Sequence, residues 1–193
     1  MSNKAKIIAF AGSTRKESNN KKLVKIAAEG AKEANAEVIY IDLEDYPLPL
    51  FDEDLEKREG LPENGRKLKD LFLENNGLLI SSPEYNSSFS GVFKNTIDWL
   101  SRPVDGYPPL ECFIDKVAVL MAASPGSLGG LRGLVHVRSL LSNIKVTVLP
   151  DQIALISAGS AFENETSLKD AKMHDSIKDL GKKLTETINK LNS

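Results

Sequence analysis

"KIIAFAGSTRKESNN", residues 6–20, decides how the chain is read. Its first six residues form an almost unbroken apolar run that stops at Gly12. A run without alternation suits a strand covered on both faces, as in a parallel sheet. Ser13, Thr14, Arg15, Ser18, Asn19 and Asn20 then follow before Leu23, Val24, Ile26, Ala27, Ala31 and Ala34 set up helical periodicity over 19–35. A strand, a polar turn and a helix in this order open a βα unit.

The same unit recurs down the chain. Strands are predicted at 36–43, 77–82 and 116–123 and within 145–155. Helices are predicted at 63–75, 88–101, 129–142 and about 165–191. The proline-broken stretch 46–62 reads as a long irregular connection. Five strands alternating with helices predict one α/β domain with a parallel sheet and helices on both faces. Five rather than six strands favour the flavodoxin-like order 2-1-3-4-5, with a ligand crevice at the carboxyl ends of strands 1 and 3.

Composition narrows the partners. The chain has 193 residues, 41% hydrophobic and 27% charged, with a formal net charge of −2. That balance, without a Lys/Arg block, argues against nucleic acid as a partner. No apolar run approaches the ~20 residues needed to span a bilayer, so no membrane partner is expected. The N-terminus is too short in apolar residues for a signal peptide, and a single cysteine, Cys112, suits a reducing compartment. The expected location is the cytoplasm.

Three loops after strands 1, 3 and 4 are the most unusual stretches: "GSTRKESNN" (12–20), "SPEYNSS" (82–88) and "SPGSLGG" (124–130). The topology gathers them on one edge. The first leads into a helix N-terminus, where unpaired N–H groups and the helix dipole favour an anion. Ser13, Thr14, Ser18, Asn20 and a forked Arg15 supply further donors. The bland reading is that Ser18 or Asn19 caps the helix and Arg15 is solvated. The loop has neither the P-loop G-K-[ST] nor the dinucleotide G-x-G-x-x-G. In the second loop, Pro83 fixes the backbone, and Glu84, Tyr85 and Asn86 present main-chain groups suited to a flat heterocycle. A proline turn with Ser87 or Ser88 as the next helix cap explains it equally. In the third, Gly126, Gly129 and Gly130 allow close backbone approach or serve a plain βα connection.

Together these motifs resemble the NADPH-dependent FMN reductase family. The resemblance rests on G-S-x-R-x-x-S-x-N at Gly12, Ser13, Arg15, Ser18 and Asn20, on "SPEYNSSFSGVFKNTIDWLSR" at 82–102, and on "ASPGSLGGLRG" at 123–133. It covers roughly residues 6 to 155. It implies that Ser13, Arg15, Ser18 and Asn20 hold the FMN phosphate, that Pro83, Glu84, Tyr85 and Asn86 line the isoalloxazine ring, and that Ser124 and Gly126 approach from the other side. It also implies hydride transfer from NADPH or NADH to FMN, then electron delivery to a small-molecule acceptor: a quinone, azo dye, metal oxyanion or flavin. The flavin carries the chemistry, so no catalytic side chain and no metal are expected. His136 and His174 read as surface or packing residues. Cys112 is not part of a C-x5-R phosphatase loop, because position 118 is alanine.

The family likeness further implies a homodimer or homotetramer, with the helix carrying Phe93, Ile97 and Trp99 at the interface; core packing is the other reading for Trp99. Thr14 stands where the family often has leucine, and the 102–115 connection is this chain's own. Two other functions share the fold: an electron-transfer flavodoxin and a non-enzymatic nucleotide sensor.

Overall fold

The computed structural model describes residues 4–104 and 106–192. Its centre is a five-stranded parallel sheet in the order β2-β1-β3-β4-β5. The strands are β1 (Lys6–Ala11), β2 (Glu37–Ile41), β3 (Gly77–Ser81), β4 (Val117–Ala123) and β5 (Thr147–Leu155). The helices are α1 (Asn19–Glu33), α2 (Glu53–Glu59), α3 (Glu63–Glu74), α4 (Gly91–Leu100), α5 (Leu131–Asn143), α6 (Ala158–Ala161) and α7 (Ala171–Leu191). The fold is α/β and flavodoxin-like, as the alternation of elements requires.

Successive residues of the central strands serve opposite faces. Ile7, Ala9, Leu79, Val119 and Met121 pack with α1 and α7. Ile8, Phe10, Leu78, Ile80, Leu120 and Ala122 pack with α3, α4 and α5. Both faces are thus buried, which is why these strands read as continuous apolar runs. On the first face α1 and α7 meet backbone to backbone. A Cβ on Gly30 would lie 2.0 Å from Lys178 O, and one on Gly181 would lie 1.9 Å from Ala27 O. Only glycine permits that approach.

On the second face two buried lysines close helix ends. Lys69 Nζ donates to Leu100 O (3.1 Å) and to Arg102 O, at the end of α4. Lys116 Nζ donates to Asn75 O at the end of α3. Cations suit helix C-termini, while burial draws both lysines below the usual ammonium range. Cys112 Sγ also donates to Leu100 O, at 3.1 Å. Burial pushes its thiol up to about 11.

Three features depart from the sequence reading. The 46–62 connection contains α2, which has no buried residue and is started by Asp52 accepting from Asp54 N and Leu55 N. The last helix starts at Ala171 rather than near 165, capped by Asp170, whose side chain accepts from Met173 N. Phe93, Ile97 and Trp99 are all buried within the chain, at 0%, 3% and 0% exposure, so they form core rather than an open interface. Trp99 Nε1 donates to Pro49 O (2.8 Å), and its ring meets Phe51 edge-on. Asn95 on the same helix holds Phe51 N and Pro49 O (2.7 and 2.9 Å), and Arg102 pairs with Glu56 (2.8 Å). Residues 95, 99 and 102 thereby pin the 49–56 strap to α4, which explains much of the 82–102 motif structurally. No helix among the described residues is long and apolar enough to cross a membrane.

Candidate active site

The sheet ladder runs directly into the three loops. Gly12 N donates to Ser81 O (2.9 Å), Ser82 N to Met121 O (2.9 Å), and Ser124 N to Leu155 O (3.1 Å). The loops therefore leave adjacent strands at one level. Between them lies a cavity of about 150 Å³, lined by Arg15, Ser18, Asn19, Asn20, Pro83, Glu84, Tyr85, Ala123, Ser124 and Pro125. Seven of the ten residues expected at the site line it; Ser13, Asn86 and Gly126 do not. Asn19, Ala123 and Pro125 join them and adjoin predicted positions. A larger concavity of about 410 Å³ lies between β5 and α7, around Asp151, Asp179 and Lys183. The smaller one is favoured, because ligands of open α/β sheets bind outside the carboxyl ends of the strands.

The start of α1 is ready for an anion. Ser18 stands at the N-cap, yet its side chain makes no capping bond. The first turn of α1 holds no acidic residue. Arg15 is exposed, and no ion pair engages its guanidinium among the described residues. Side-chain capping by Ser18 thus does not account for the loop, although Arg15 is solvated as the capping reading has it. Ser13 is buried, and its Oγ accepts from Arg15 N (3.2 Å), which tightens the turn. Ser90, the N-cap of α4, accepts from Phe93 N (3.2 Å) and donates to Gly12 O (2.6 Å). Lys21 is buried against Asp42 (2.7 Å) and Glu44 (3.1 Å). Burial opposes its charge, but these two carboxylates hold its ammonium above the usual range.

Asn20 lines the cavity and also has a structural task. Its Oδ1 accepts from Ser81 Oγ (2.8 Å) and Ala123 N (2.9 Å), and its Nδ2 donates to Ala123 O (2.9 Å). Three of its four bonding positions are taken by the ends of β3 and β4, and one N–H remains. The residue braces the crevice floor.

The 82–88 loop is a tight hairpin. Tyr85 N donates to Ser88 O (2.9 Å), and Ser88 N to Tyr85 O (3.0 Å). Asn86 (φ 50°) and Ser87 (φ 67°) are both left-handed, the conformation that two-residue hairpin turns demand. Neither Ser87 nor Ser88 caps α4; Ser90 does. Glu84 lines the cavity while its carboxylate is bonded to α5: Oε1 accepts from Arg132 Nε (2.9 Å) and Nη2 (2.7 Å), and Oε2 from Gly133 N (2.9 Å). Burial opposes its charge, but the Gly133 N–H and the Arg132 guanidinium outweigh it and hold the carboxyl below the usual range. His136 is exposed on α5, but its Nδ1 lies 3.1 Å from Ser88 Oγ, so it borders this loop. Sequence gave no signal for that contact. His174 lies away from the loops, on α7, with Nδ1 buried and unpartnered.

In the third loop Ser124 Oγ accepts from Gly126 N (3.2 Å). A Cβ at Gly126 would meet only that oxygen, at 3.7 Å, so glycine is not demanded there by the chain. The demanding positions are Gly129 and Gly130, left-handed at φ 62° and 96°, where a Cβ would lie 2.7 Å from Ala154 and Ala122 respectively.

A helix N-terminus with unused donors, beside hydrogen-bonded polar loops at a topological switch point, is the ligand-site arrangement of a flavodoxin-like α/β protein. Comparison with known proteins is more specific. The pattern of the NADPH-dependent FMN reductase family matches residues 5–160. An NAD(P)H-dependent FMN reductase of Pseudomonas aeruginosa is 32% identical over 178 residues, 92% of this chain and 91% of its own. A quinone reductase of Escherichia coli is 35% identical over 153 residues, 77% of this chain and 76% of its own. The solved structure of FerB, a flavoenzyme NAD(P)H:(acceptor) oxidoreductase from Paracoccus denitrificans, superposes with a TM-score of 0.79 at 27% identity, over 97% of this chain and 98% of that one. The chain belongs to the NADPH-dependent FMN reductase family and is an NAD(P)H-dependent, quinone reductase-like oxidoreductase.

Proposed function

We propose that this chain binds FMN at the carboxyl edge of β1, β3 and β4, oxidises NADPH or NADH, and reduces a small acceptor, a quinone being favoured by the relatives. The supporting observation is the unused donor set at α1: an N-cap serine that does not cap, next to an arginine without an ion pair. The cradle fits a phosphate ester. Ser18 Oγ, the first N–H groups of α1 and the forked guanidinium of Arg15 would hold its oxygens. Ser13 keeps the loop tight, and Asn20 keeps α1 joined to both strands.

The cavity is smaller than the ~300–1,000 Å³ of common small-molecule sites. It therefore suits the phosphate and chain of the ligand, with the ring lying toward the open hairpin 85–88 and Ser124. Bound FMN supplies the two-electron chemistry, in a ping-pong cycle. The chain's residues bind and orient, and Tyr85, half exposed, flanks the approach of both substrates. Assembly as a homodimer or homotetramer belongs to the same proposal.

Titration of the purified protein with FMN, followed by NADPH oxidation in the presence of benzoquinone, tests the reading. Saturable quenching of flavin fluorescence and quinone-dependent NADPH consumption are expected. Flavin binding without NADPH consumption would point to an electron-transfer flavodoxin instead, and no flavin binding would overturn the assignment.

A further inference from the structure

The hairpin at 85–88 is anchored at both ends to a helix more than forty residues away. Glu84 precedes it and seats its carboxylate on the first turn of α5, with Gly133 N and the Arg132 side chain as donors. Ser88 closes it and meets His136, one turn further along the same helix. The N-cap of α5 is Gly130, which has no side chain to offer, so the cap comes from Glu84. Space is reserved for it: a Cβ on Gly133 would stand 3.2 Å from Glu84 Cβ. Between the anchors, two non-glycine residues hold left-handed backbone. Such a conformation persists where its surroundings over-determine it.

We infer that Glu84 is a positioning residue: it latches the loop after β3 to the start of α5 and so fixes the gap between the loops after β3 and β4. This rests on the reading that the flavin ring lies in that gap. Glu84 acts through the hairpin it holds, its carboxylate being occupied by Arg132 and Gly133 of α5. Arg132 completes the latch by keeping the carboxylate charged and aimed. A chain lacking the latch samples other hairpin arrangements. If the competent one falls to about a tenth of the population, the apparent Kd for a ring-bearing ligand rises about tenfold.

Glu84→Ala, Glu84→Gln and Arg132→Ala separate the possibilities. Amide hydrogen exchange is followed in the flavin-free proteins, and FMN, riboflavin and inorganic phosphate are titrated against each. In Glu84→Ala, exchange should quicken both at Arg132 and Gly133 and across 85–88. FMN and riboflavin affinities should fall together by about tenfold, with phosphate affinity unchanged. Glu84→Gln keeps an acceptor for Gly133 N–H and should recover part of the loss; Arg132→Ala should fall between the two. General destabilisation would weaken phosphate as much as riboflavin, which would overturn the proposal. So would faster exchange confined to α5 with flavin affinity within twofold of the parent. A parent protein that binds phosphate but neither flavin overturns the FMN reading itself, an outcome distinct from parent-like binding in the variants.

Discussion

The 12–20 and 82–88 loops leave neighbouring strands and share a composition of small polar residues, yet they use it in opposite ways. In the first, the side chains of Arg15 and Ser18 have no protein partner among the described residues. In the second, Glu84 and Ser88 are tied to α5, and Tyr85 and Ser88 exchange main-chain bonds. One loop leaves the side-chain donors of Arg15 and Ser18 unused; the other is tied by hydrogen bonds to itself and to α5. A flexible anionic tail is well served by available donors, and a flat ring by a preformed wall, since preorganisation lowers the cost of binding.

Breaking the brace between the two loops should have the largest effect. Asn20→Ala leaves Ser81 Oγ and both main-chain groups of Ala123 unpaired in a buried place. Unfolding in urea should show a loss of roughly 3 kcal/mol; unchanged stability would mean that Asn20 is not the brace. Next comes Arg15→Ala, which should weaken FMN by about 1.5–3 kcal/mol and leave riboflavin untouched, by fluorescence titration. Equal losses for both flavins would erase the division of labour between the loops. Ser18→Ala is smaller and sharper. An N-cap serine normally contributes about 1 kcal/mol to stability, but this one makes no cap bond, so the melting temperature should hold while FMN affinity drops a few-fold.

The smallest effect sets a baseline away from both loops. Cys112 is buried with a thiol pushed up to about 11, so iodoacetamide at pH 8 should leave the native protein unmodified and label it fully in guanidinium. The unfolded thiol ionises near pH ~8.5 while the native one keeps its proton. Stability should therefore decline as pH rises from there toward 11.

The architecture was legible because each βα unit announces itself by period, and because strands covered on both faces lose their alternation. The positions of the three loops followed from strand order. What stayed hidden depends on contacts between distant residues. Glu84 reads as a ring neighbour by motif, but its partners lie 48 and 49 residues away. Asn20 reads as a phosphate donor by motif, and its bonds to Ser81 and Ala123 give no sign in the sequence. Gly126, Gly129 and Gly130 read alike in the sequence, whereas φ and crowding demand glycine at Gly129 and Gly130 and not at Gly126. Helix α2 escaped notice because its residues, "EDLEKRE", carry no apolar face. Asp52 ahead of it was the available clue, and Arg102 fixes it from another part of the chain.

The close crossing of α1 and α7, which Gly30 and Gly181 each permit against the other helix's backbone, carries a consequence for heredity as much as for mechanics. The helix that aims the anion cradle takes its tilt from a partner near the far end of the polypeptide. Substitutions at Gly30 or Gly181, outside the candidate site, would shift the start of α1 as surely as changes within the opening loop. Drift in the tail is thereby coupled to the tuning of the opening loop.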